Sequence, residues 1–371
     1  MTLNQRPLLL IRKSRATILD SVITSKFSIL YKSFTSTSRF SQSYRKFIPG
    51  TFGSYSTLAG PRNNYNTLYS KPRCALPTRV GVKSRFHQQS RHLTMSSKLI
   101  PSNPADVAVI RNITPNVVTV SVPFSRFGVI RIGGRGTIIR LTSGTLAVFS
   151  PVALTPETQA KVTELGGNVG YLIAGDLEHH IFLTEWAKAY PNAKLVGPKG
   201  LAEKRAKVQN DPKIGHEAFA FEWDAANKHS NAVSDEFAAD FEVEFVDAHP
   251  NKEVVLFFKP EKILIEADLL FNLPATEQYS KVPEAEKKGN AWLNRLFESL
   301  NSTAGEAKGL KRFLWYVLSN GNKDRAGFNE SVKRIDAWDF ETLIPCHGET
   351  IVGNGKELFR KAFEWHIQGH K

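Results

Sequence analysis

The chain has 371 residues, 41% of them hydrophobic, and carries 49 Lys and Arg against 35 Asp and Glu. The resulting charge of +14 sits at one end: residues 1–94 hold 16 basic residues against Asp20 alone, while residues 95–371 hold 33 basic and 34 acidic, a balance of about −1. No nucleic-acid surface is expected on the folded part. Two cysteines, Cys74 and Cys346, exclude a disulfide framework, and no apolar run reaches the ~20 residues that span a bilayer.

Residues 1–94 are rich in Ser, Thr and Arg and almost free of acid, and Ile11, Ile18, Val22 and Ile29 fall on one helical face. This is the composition of a mitochondrial presequence, so the expectation is a basic, disordered targeting arm whose partner is the import machinery. The competing reading is a tail that binds RNA or a membrane surface. Met95, at the junction, offers a second start and with it a cytoplasmic form.

From residue 104 to 150 an antiparallel β start is expected. Val117–Val122 alternates loosely, Gly133-Gly134-Arg135-Gly136 reads as a turn before Thr137–Leu141, and Ser143-Gly144 turns the chain into Thr145–Phe149. Thr155-Pro156-Glu157 starts a helix that Gly166-Gly167 stops. A buried strand follows at Val169–Ile173, then Asp176-Leu177-Glu178-His179-His180, then a helix from about Glu178 to Tyr190 and a strand at Ala193–Gly197. A short helix is expected near Leu201–Lys207, and the alternation of strand and helix is that of a layered α/β fold. Residues 209–238 read as a polar surface insertion in which His216 and His229 have no role.

Phe241–Val246 alternates as a strand and leads to His249. Val254–Phe258, a turn at Lys259–Lys262 and a second apolar run then deliver Asp268 at its end. Residues 272–309 read as a second, charged insertion, with Trp292, Leu293, Leu296, Phe297 and Leu300 at helical spacing. Leu310, Phe313, Leu314, Val317 and Leu318 form another stripe, ended by Asn320-Gly321. A helix near Arg325–Trp338 precedes Thr342–Gly348, which contains Cys346 and His347, and a closing helix at 355–368 carries His366, to which no role is given.

Histidines and carboxylates that each follow a strand are the donors of a metal site, though any one alone is more often a satisfied polar group. Taken together, His249, Asp268 and His347 resemble the last three ligand positions of the metallo-β-lactamase superfamily, over roughly residues 105–371. The resemblance is to a branch found in fungi and plants whose first box, His-x-His-x-Asp-His in the family, is degraded. Here only Glu178-His179 or His179-His180 can stand for its end, and spacing to Pro191 favours the first.

The resemblance implies an αββα sandwich, residues about 99–371, behind the arm. It implies one divalent metal ion, Zn, Fe or Mn, drawn from Asp176, His179, His180, His249, Asp268 and His347. Asp268 would bridge or ligate, Glu178 would orient the attacking water, and Cys346 is better read as buried filler. The implied function is hydrolysis of a small-molecule ester or thioester of unknown identity, or related metal chemistry such as sulfur dioxygenation. A non-catalytic binding protein built on the same fold is the alternative.

Overall fold

Apolar side chains alternate along nearly every strand of the chain, and that alternation decides the layers. The computed structural model describes residues 103–287, 289–319 and 323–370. The basic arm, Cys74, Met95 and the Asn320-Gly321 helix stop lie outside the described residues. One sheet has seven strands: β1 (Val109–Asn112), β2 (Val117–Val122), β5 (Gly134–Arg140), β6 (Leu146–Phe149), β7 (Val169–Ile173), β8 (Lys194–Pro198) and β9 (Phe221–Trp223), in that spatial order. Its first four strands pair antiparallel, and β6 to β9 run parallel. A small ribbon, β3 (Ser125–Arg126) with β4 (Ile130–Arg131), stands apart. The second sheet is β10 (Phe241–Val246), β11 (Glu253–Phe258), β12 (Ile263–Glu266) and β13 (Thr342–Pro345), antiparallel except for the last pair.

On β11 the side chains of Val254, Leu256 and Phe258 join Ile139, Phe149 and Ile173 of the large sheet in the core between the sheets. Val255 and Phe257 point the other way, onto Leu310, Phe328, Val332 and Phe359 of the outer helices. On the large sheet, Val118, Val120, Ile138 and Leu172 face outward against Val162, Leu183, Trp186 and Leu201. Helices therefore cover both outer faces, and the architecture is the expected αββα sandwich. Among the described residues no helix is long and apolar enough to cross a membrane.

Local chemistry sets the element ends. Thr155 caps the helix Pro156–Glu164 by accepting the Thr158 N–H, and Gly166 and Gly167 leave it with positive φ. Asp324 caps Arg325–Ala337 in the same way.

Three expectations need correction. The glycine run 133–136 is not a turn throughout: only Gly133 has positive φ, and Gly134 already opens β5. Residues 209–238 are not merely surface, because β9 forms the sheet edge and Trp223 and Phe237 are fully buried in the inter-sheet core. The stripe on Ala291–Leu300 is shallow: Trp292 is 68% exposed, and the buried residue of that helix is Asn294, whose Oδ1 accepts the Arg131 N–H.

Candidate metal centre

The loops that leave β7, β12 and β13 meet at one edge, where they bring His179, Asp268 and His347 together. After β7, Asp176 Oδ1 accepts the backbone N–H groups of Glu178 (2.7 Å) and His179 (2.8 Å). An aspartate bonding its own downstream backbone makes a turn in place of a helix. The helix expected from about Glu178 consequently begins at Leu183. The turn also brings the His179 ring back onto Asp176, with Nδ1 2.8 Å from the same oxygen. After β13, the His347 ring turns inward and its Nδ1 lies 2.7 Å from the carbonyl oxygen of Gly133. A carbonyl only accepts, so Nδ1 of His347 carries the proton and Nε2 presents a lone pair. The Asp176 carboxylate fixes His179 in the same tautomer.

The two Nε2 atoms face each other at 3.1 Å. Asp268 Oδ1 lies 3.0 Å from Nε2 of His347. His179, Asp268 and His347 thus offer three donor atoms, all within 4.8 Å of one another. Three such atoms stay this close only with a cation among them, either the proton that His179 holds when no ion is bound or a metal ion. At metal–ligand distances of about 2.0–2.2 Å, neighbouring ligand atoms of a tetrahedron are about 3.3 Å apart, close to the separations seen here. Each imidazole also hands its outer N–H to a carboxylate or a carbonyl, the pattern that orients histidine ligands. The donor set therefore fits one divalent ion.

The charges follow the geometry. Burial opposes protonation of His179, but Asp176, aided by Asp268 and Glu178, raises its pKa to about 9. Burial lowers that of His347, against the pull of Asp268. Asp268 is held well below the usual carboxylate range, because His347 and His179 outweigh its burial. Burial, reinforced by Asp176 and by each other's charge, pushes the carboxyl of Glu253 up, and burial does the same for Glu266.

The other expected site residues stand elsewhere. His180 is buried against Arg205, with Nδ1 3.4 Å from Nη1, and burial followed by Lys204 and Arg205 lowers its pKa to about 3. It points away from the cluster, and His179 is the residue of that pair which the fold brings in. His249 is also outside: its Nδ1 accepts the Asn251 N–H, its ring stacks near Phe328, and burial lowers its pKa to about 4. The ring is fully enclosed, next to Phe328 of an outer helix. Asp176 serves His179 and is not one of the three converging groups. Glu178 pairs with Lys204 at 2.8 Å beside His179. The Cys346 thiol is in the inter-sheet core and burial raises its pKa well above the usual value.

Several supporting residues escaped sequence reasoning. Arg135, fully buried, donates to the Pro345 carbonyl at 2.6 Å, and Gln278 bonds the Cys346 carbonyl and the Gly348 N–H. Together they fix the loop that carries His347. Gln278 comes from the segment 272–309 read as an insertion, and no short-range pattern marks it. Gly133 has φ +73°, and a Cβ there would fall 2.0 Å from Gln278 Oε1, so the glycine is what lets its carbonyl reach His347.

Two facing sheets with helices on both outer faces make an αββα sandwich that carries a His, Asp, His cluster at one edge. A family model described as "Domain of unknown function (DUF4336)" matches residues 126–291, a span that includes His179 and Asp268 and stops short of His347. No curated protein matches the chain. Among solved structures it is similar to a metallo-beta-lactamase from Pontibacter korlensis, at 13% identity and TM-score 0.44, covering 71% of this chain and 100% of that one. It is similar as well to a metallo beta lactamase from Erythrobacter litoralis with beta mercaptoethanol in the active site, at 10% identity and TM-score 0.47, covering 71% and 97%. A third is the Flv1 flavodiiron core from Synechocystis, at 12% identity and TM-score 0.42, covering 70% and 60%.

Proposed function

We propose that the folded part is a metalloenzyme that holds one divalent ion, Zn, Fe or Mn, on His179, His347 and Asp268 and hydrolyses a small ester or thioester. The observation that carries this reading is the pair of Nε2 atoms facing each other at 3.1 Å with Asp268 Oδ1 beside them. When bound, the ion supplies Lewis-acid activation of water. Asp176 and the Gly133 carbonyl keep both imidazoles in the tautomer that offers Nε2. The side chain of His179 is 17% exposed against 4% for His347 and 5% for Asp268, so the cluster opens past His179. Glu178, next to His179 in the chain, would orient the attacking water, with Lys204 holding its carboxylate. Phe271, with its ring centroid 4.6 Å from that of His347, and Phe124 at 6.2 Å form an apolar wall for the rest of the substrate.

The test is elemental analysis of the dialysed full-length protein, followed by assays on a nitrophenyl ester and an acyl thioester with and without chelator. The reading expects one ion per chain and turnover that chelation abolishes. Two ions per chain overturn it. No ion after exposure to Zn, Fe and Mn favours the non-catalytic binding protein. A second reading rests on the same two-histidine, one-carboxylate set, which suits Fe(II) oxygen chemistry. Iron occupancy with oxygen uptake selects it.

The arm is proposed to be a mitochondrial presequence, removed between about residue 80 and Met95. An arm–reporter fusion that stays cytosolic overturns this. Salt-dependent binding of the arm to RNA or anionic vesicles favours the alternative tail.

A further inference from the structure

Asn251 in the loop before β11, Glu253 at the start of β11 and Glu266 at the end of β12 stand around the loop that carries Asp268. Asn251 Nδ2 donates to Asp268 Oδ2 at 2.5 Å, and Asn251 is only 5% exposed. The two carboxylate oxygens of Glu253 accept the backbone N–H groups of Ala267 (2.6 Å) and Asp268 (3.0 Å). On the far side of the same loop, Glu266 Oε2 accepts the N–H groups of Leu269 (2.8 Å) and Leu270 (3.2 Å). The loop backbone is thereby clamped from both sides, and the carboxylate of Asp268 is fixed in rotation. One oxygen is turned to Asn251 and the other, Oδ1, to His347.

We infer that Asn251 and Glu253 are positioning residues that present Asp268 to the ion through a single oxygen. The inference rests on the proposed metal reading and adds to it two residues that touch Asp268 but are not among the three converging groups. An isolated carboxylate spins freely and binds through one oxygen or two. Here Oδ2 cannot swing toward the ion without leaving the buried Asn251 amide without its acceptor. Glu253 acts one step further back, on the peptide groups that carry the Asp268 side chain. Outer partners of metal ligands commonly change affinity by about 10–100-fold when removed.

The test titrates Zn(II), and in parallel Co(II), into the metal-free full-length protein and its Asn251→Ala, Asn251→Ser and Glu253→Gln variants. Each variant is first melted without metal. Asn231→Ala, which removes a side chain bonded to the Phe241 carbonyl on another loop, is the control for lost stability alone. The expected result is a Kd about 10–100-fold weaker for Asn251→Ala and Glu253→Gln and unchanged for Asn231→Ala at comparable melting temperature. Asn251→Ser, which keeps a donor, recovers part of the loss. The visible Co(II) band should weaken in Asn251→Ala as the freed carboxylate binds through both oxygens and the coordination number rises. Folded variants with the wild-type Kd and the wild-type Co(II) spectrum overturn the inference and leave the metal reading intact. A wild-type chain that binds neither ion overturns both. Should Glu253→Gln fail to fold, the two Asn251 variants decide.

Discussion

The histidines at the strand-end edge and the histidine buried in the closing helices behave differently. At the strand-end edge, His179 and His347 each give their Nδ1 proton to a fixed acceptor and turn Nε2 toward each other and toward Asp268. In the closing helices, His366 is just as buried, its Nδ1 2.7 Å from Asn329 Oδ1, but its ring lies among Phe328, Phe363 and Trp315 with no second ligand facing it. Burial of an imidazole is common to both regions. What marks the edge as a site is convergence: rings fixed from outside, with their Nε2 atoms and a carboxylate oxygen aimed at one point.

The largest effect should come from removing a converging atom. Asp268→Asn and His347→Ala are each expected to weaken ion binding by at least about a hundredfold, a loss of about 2.7 kcal/mol or more. Both should leave the fold in place, because the residues stand in loops beyond β12 and β13. Isothermal titration and circular dichroism check the two halves. His249→Ala separates the models sharply: a ligand would lose the ion outright, whereas the enclosed ring seen here should cost mainly stability. If His249→Ala abolishes binding at unchanged melting temperature, the three-residue cluster is the wrong set.

Gly133→Ala tests the outer support of His347. The new methyl would be caught between a positive φ and the Gln278 side chain. A destabilisation of about 2–4 kcal/mol is expected, and the shift of the carbonyl should weaken ion binding as well. Denaturant melts with and without Zn(II) measure both. A neutral effect would show that the Gly133 carbonyl does not hold the ring.

The sandwich was legible in the sequence because its signals are local. The runs at Val169–Ile173 and Phe241–Val246 and the cap at Thr155 each specify an element within a few residues, and the structure has them at those positions. The site was legible only in part. Strand-end position brought Asp268 and His347 into view, but the side-chain direction of His249 depends on helices more than 60 residues further on, such as the one carrying Phe328. The turn made by Asp176 replaced a helix start that the acidic residues also suit. Asn251, Glu253, Arg135 and Gln278 act through pairings across the fold, from 14 residues for Glu253 with Ala267 to 210 for Arg135 with Pro345, and no periodicity records such pairings.

Close to neutral pH the smallest effect concerns the other region, and it comes from pH. Burial, helped by Arg325, lowers the pKa of His366 to about 3. An unfolded chain takes up a proton there near pH 6.5, while the folded chain does not until far lower. The unfolded state therefore binds more protons below pH 6.5, and stability falls as pH is lowered from 6.5 toward 3. The limiting slope is about 1.4 kcal/mol for each pH unit, and above pH 6.5 this group contributes nothing to the pH dependence. His366→Gln retains a polar partner for Asn329 and cannot titrate, so it should flatten the acid limb of the melting-temperature profile. The measurement is made on metal-free protein, which keeps ion release at the edge out of the comparison. A profile with the same slope in wild type and variant would mean that His366 is reached by solvent protons without unfolding. The closing helices would then be opening locally, a behaviour that the tight edge around Asp268 should not share.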